Sequence, residues 1–219
     1  MEKIIVTLLL GLLSSLTGIA QSDYETGMTK AFELWEQGNS EEAASQFEDI
    51  ARAEQQNWIP YYYASQIRIV DAFSTEDPVK KEKQLEQAQL LLDETTRYGG
   101  EDNIEPMLLQ AMLHTGYITL NPEVYGMRLS SVITDIYKKA SEKDSLNPRL
   151  ALSQAEWNMG SARYFGEDPA RYCDQLKASL QLFRDQETKE PFAPEWGEDR
   201  ARMLIASTCG AEELQEKKK

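Results

Sequence analysis

Seven of the eight prolines fall into two interleaved series, and this register constrains the fold more than any other feature. One series is a bulky apolar residue, any residue, then proline: Trp58-Ile59-Pro60, Ile104-Glu105-Pro106, Leu146-Asn147-Pro148 and Phe192-Ala193-Pro194, spaced 46, 42 and 46 residues apart. The other is Asp or Asn followed by proline: Asp77-Pro78, Asn121-Pro122 and Asp168-Pro169, spaced 44 and 47. An Asx side chain can accept a bond from an orphan N–H at a helix start. Proline at the first helical position surrenders a donor that had no partner there. Two helix starts per ~45 residues describe stacked helical hairpins, hence a repeat protein.

The first twenty residues read as a leader rather than as part of the fold. Met1-Glu2-Lys3 precedes an apolar run from Ile4 to Leu13, and Gly18-Ile19-Ala20 places small residues before Gln21, the order of a cleaved signal peptide. The run is half the ~20 residues needed to span a bilayer, and no second apolar segment follows. With no cysteine near the cleavage site, a lipoprotein anchor is not expected. The mature chain is therefore expected to be exported, periplasmic or secreted, with one domain over 21–214 and a disordered basic tail over 215–219. Its net charge of −14 repels nucleic acid and anionic lipid and leaves basic or neutral partners. Cys173 and Cys209 read as a disulfide in an exported chain, with two buried thiols as the alternative.

Periodicity lays out four helix pairs and a cap. The pairs span about 23–37 with 40–56, 58–73 with 78–98, 104–119 with 122–144, and 148–164 with 169–187; the cap spans 195–213. An antiparallel cap brings Cys209 back toward Cys173. Gly38, the Ala43-x3-Phe47-x2-Ile50 stripe and the later Pro60 resemble the turn and second helix of a tetratricopeptide repeat. Ala88-x3-Leu92-x2-Thr95 and Ile133-x3-Tyr137-x2-Ala140 repeat that signature, while Leu176-x3-Leu180-x2-Phe183 loses its final small residue. The resemblance implies an all-α solenoid of about four hairpins plus the capping helix, with a HEAT-like repeat as the other helical option. It also implies that the first helix of each pair lines a concave groove. Carried onto this chain, the groove candidates are Tyr62, Gln66, Gln110, His114, Trp157 and Asn158.

Chemistry-bearing motifs are sparse. His114 is the one histidine, and nothing near it resembles a nucleophile elbow. The paired acids sit at helix starts or on polar faces, and no phosphate-binding loop, dinucleotide fingerprint or calcium loop occurs. No catalytic residue, cofactor or metal site is expected. Two segments carry an aromatic–glycine dipeptide, Asn121–Met127 and Arg163–Pro169, and are expected to project as loops from one edge of the stack. The expected function is a non-catalytic scaffold that grips a protein or peptide of the cell envelope in its groove. The alternative is a glycan- or small-ligand-binding protein of the envelope.

Overall fold

The computed structural model describes residues 23–100, 102–186 and 190–210. The leader (1–20), the tail (215–219) and the far end of the expected cap lie outside these. Among the described residues the regular structure is entirely helical. The helices gather into two compact units, one ending at Tyr98 and the other beginning at Gly99.

The first unit comprises α1 (23–36), α2 (Ser40–Ala53), α3 (Trp58–Ser74) and α4 (Pro78–Gly99). Helix α2 opens with Glu41 and Glu42 against the positive end of its dipole and buries one stripe, Ala43, Ala44, Phe47, Ile50 and Ala51. Phe47 meets Phe32 and Tyr63 in a tight aromatic knot, with centroids 4.6–5.4 Å apart. Asn57 caps α3 by accepting from the Ile59 N–H, and Asp77 caps α4 by accepting from Val79 and Lys80. Arg68 is buried where α3 crosses α2, and there it donates to Glu48 at 2.7 Å and pairs with Glu41 at 3.4 Å.

The second unit comprises α5 (Glu105–Leu120), α6 (Pro122–Lys143), α7 (Pro148–Tyr164), a 3-10 turn (Pro169–Tyr172), α8 (Cys173–Asp185) and a short α9 (Glu198–Leu204) that runs into a π turn (Ile205–Cys209). Asn121 caps α6, as the Asx-Pro register requires, and Asn147, from the apolar-x-Pro series, caps α7. Polar contacts tie the starts of α5 and α7 together. Glu105 Oε1 accepts from Arg149 Nε at 2.8 Å, Arg149 Nη2 at 2.7 Å and Asn147 Nδ2 at 3.1 Å. Arg149 Nη1 also donates to Gln186 Oε1 just beyond α8. Lys143 at the end of α6 reaches Asp102 before α5.

The cap differs from expectation. Phe192-Ala193-Pro194 does not open a helix; α9 begins at Glu198, after Gly197. Gly197 has φ +117°, and a Cβ there would come 2.6 Å from Phe183 Cζ and 3.1 Å from Leu152 Cδ2. The chain must enter the cap in a left-handed conformation pressed against the core, which postpones the helix past the proline. Gly197→Ala is expected to destabilise the protein by about 2 kcal/mol through backbone strain and overpacking. An unchanged urea midpoint would refute this. Cys173 and Cys209 are bridged, with Cα atoms 5.8 Å apart, which joins the end of the cap to the start of α8.

Candidate functional site

The six groove candidates are divided between the two units. Tyr62 and Gln66 belong to the first unit and the other four to the second. Tyr62 is a correction to the groove reading: it is fully buried, edge-on to Trp58 at 5.6 Å and to Tyr63 at 5.3 Å. Helix α3 is enclosed around most of its circumference, from Ile59 to Ala72, so Tyr62 serves the core. Gln66 is buried as well, and its Oε1 has no hydrogen-bond partner. Tyr61, half-exposed, stacks on Tyr98 at 5.8 Å. Trp157 packs against the core cluster built from Ile104, Leu108, Ile133, Tyr137 and Leu150, and Asn158 donates to Gln175 of α8 at 3.0 Å.

Gln110 and His114 do come together. They lie one helical turn apart on α5, with Gln110 Nε2 3.3 Å from His114 Nε2. If the amide donates, Nε2 of the imidazole accepts and the ring proton sits on Nδ1, which is buried with no hydrogen-bond partner. Burial depresses the His114 pKa, and the positive charge of Arg128 depresses it further. The imidazole therefore stays neutral to lower pH than a free histidine. Protonating it costs stability, which is fully present above pH 6.5 and falls away as pH drops through the depressed value.

The stripe Gln110, His114, Tyr117 continues down α5 at i, i+4, i+7 and meets the first two turns of α6. Tyr117 and Tyr125 face each other at 5.3 Å, and the Arg128 guanidinium lies 5.5 Å from the Tyr125 ring. A neutral imidazole, two phenol rings and an arginine thus share one patch of a single hairpin. Tyr117 and Arg128 were not among the sequence candidates, and Tyr125 was assigned to a projecting loop. The segment 122–127 is helical, because Asn121 caps it and Pro122 starts it. The helical spacing of 114 and 117 and of 125 and 128 was the available signal.

A hollow of about 440 Å³ lies in the first unit between the start of α2, the end of α3 and the start of α4. Glu41, Glu42 and Asp71 line it with a single lysine, Lys80, and burial raises the Asp71 pKa. Its excess of carboxylates disfavours anionic ligands. Among the described residues no group of three or more His, Cys, Asp or Glu could hold a metal ion, and no helix is long and apolar enough to cross a membrane.

Neither a family model nor a curated relative matches the sequence. Among solved structures, the HusA haemophore from Porphyromonas gingivalis is similar, with a TM-score of 0.72 and 24% identity over 89% of this chain and 96% of that one. The likeness is one of fold.

Proposed function

We propose that this chain is an exported, non-catalytic ligand-binding protein of the cell envelope. In this reading it takes a haem-type tetrapyrrole at the His114 patch of the second unit, on a tetratricopeptide-like stack of hairpins. The observation that carries the reading is the fold shared with a haemophore along nearly the whole of both chains. It favours the small-ligand alternative over a protein-partner scaffold, a role that leaned on Tyr62, now a core residue.

The local chemistry fits such a cargo. A tetrapyrrole offers a flat apolar face, two carboxylates and, in haem, an iron that favours imidazole. The rings of Tyr117 and Tyr125 supply flat apolar contact. Arg128, set over the Tyr125 ring, supplies a cation for a propionate. The depressed pKa of His114 keeps its lone pair available at neutral pH. The lone pair points at Gln110, so ligation through Nε2 requires the amide to give way.

Titration of the mature protein with haem and with metal-free protoporphyrin, followed by absorbance and tryptophan quenching, tests the reading. Both are expected to bind saturably, haem more tightly. His114→Ala is expected to bring haem affinity down to that of protoporphyrin. Arg128→Ala is expected to weaken both by roughly tenfold, as loss of a charge-assisted hydrogen bond implies. No saturable response to either compound would sink the proposal.

A further inference from the structure

The two ring nitrogens of His114 have different surroundings. Nδ1 is buried and has no hydrogen-bond partner among the described residues. Nε2 lies 3.3 Å from the amide nitrogen of Gln110, one helical turn back on α5. The side chain as a whole is only partly buried, so with Nδ1 sealed a ligand reaches the ring from its Nε2 side. A histidine that ligates a metal is ordinarily oriented from behind, by a bond from its other N–H to a carboxylate or carbonyl. Here the orienting contact is in front. Gln110 both fixes the ring and covers the nitrogen that a metal would take.

The strength of that contact suits a cover that yields. Its 3.3 Å separation is longer than the ~2.9–3.0 Å of a typical N–H···O bond, and it joins two neutral groups. Turning the amide over would still engage Nε2, which would then donate to the carbonyl oxygen. Arg128 and burial both disfavour a proton on the ring, so the lone pair exists to be released. A macrocycle without a metal has nothing to offer that lone pair and leaves the amide in place. A metal able to bind imidazole replaces a weak bond with a stronger one.

We propose that Gln110 is a latch on His114: its amide orients the imidazole and covers Nε2, and a tetrapyrrole gains that nitrogen only when its metal displaces the amide. Gln110 is thus a positioning residue that sets selectivity for the metallated cargo. The inference rests on the tetrapyrrole reading, but the latch itself has a test that needs no tetrapyrrole. Diethyl pyrocarbonate acylates the neutral imidazole, and His114 is the one histidine, so its ultraviolet signal reports this ring. Gln110→Ala and Gln110→Leu are each expected to speed the reaction roughly two- to tenfold, the worth of one hydrogen bond, with the thermal melt unchanged. Gln110→Glu is expected to slow it, because a carboxylate there holds a proton on Nε2. In stopped-flow mixing, Gln110→Ala is expected to bind haem faster than the wild type by a similar factor and protoporphyrin at the wild-type rate. Unchanged acylation in Gln110→Ala would overturn the latch. Faster acylation in the alanine variant but not the leucine variant would also overturn it, by assigning the shielding to bulk. Equal acceleration of haem and protoporphyrin would do the same. A wild type that binds neither compound, with acylation responding as expected, would instead remove the tetrapyrrole reading and leave Gln110 as the group that covers His114.

Discussion

Glu105→Ala is expected to lower stability by about 3–5 kcal/mol, because it takes from a buried guanidinium the carboxylate that holds it. Arg149 and Glu105 have side chains only 4% and 7% exposed, and the carboxylate oxygen that Arg149 grips twice also receives the Asn147 amide. With the carboxylate gone, Arg149 loses the oxygen it grips twice and keeps Gln186 Oε1 as a neutral acceptor. Removing both charges is a different matter: Glu105→Leu with Arg149→Met is expected to recover most of the loss, since the pair's desolvation cost disappears with it. Urea unfolding of the two single variants and the double variant measures the coupling. A Glu105→Ala loss below about 1 kcal/mol would show that water reaches Arg149 in the folded protein.

Removing the disulfide is expected to cost roughly 3–4 kcal/mol, from the loop-closure entropy returned to the unfolded chain. The bridge spans 36 residues and ties the π turn to the first residue of α8. Helix α9 has seven residues, too few to persist without packing. It contributes Ala201 and Leu204, with Ile205 just beyond, to a core that includes Leu152, Met159, Leu176 and Phe183. Loss of the tether should therefore release the cap at lower denaturant than the rest of the second unit. Cys173→Ser with Cys209→Ser, compared with the wild type with and without reductant, measures both effects. Identical unfolding midpoints would mean that cap packing alone holds the unit closed.

Most of the helix starts were legible because their signals are local. Asp77, Asn121 and Asn147 satisfy N–H groups two or three residues ahead, so a single short segment contains the whole of that chemistry. The Asp168-Pro169 start was read one turn early, since a 3-10 turn intervenes before α8. The Phe192-Ala193-Pro194 start failed for a non-local reason: Phe183 and Leu152 occupy the space that decides the conformation of Gly197. The disulfide was legible from two cysteines and an antiparallel layout, both coarse properties that survive errors in helix ends.

The candidate site was legible only in part. Gln110 and His114 share a face at i, i+4, so their contact follows from helix geometry alone. Tyr62 was placed on a groove by family resemblance, but an aromatic on a helix buried nearly all round takes its role from every neighbour at once. Tyr117, Tyr125 and Arg128 meet through the pairing of α5 with α6. Asx-Pro caps, apolar stripes and two cysteines sufficed for helices, their order and one covalent tie, because each depends on neighbours a few residues away or on a pairing with no competitor. Which faces those helices bury, and which side chains meet across them, depended on packing between segments far apart in sequence, where burial of one ring excludes another from the same space.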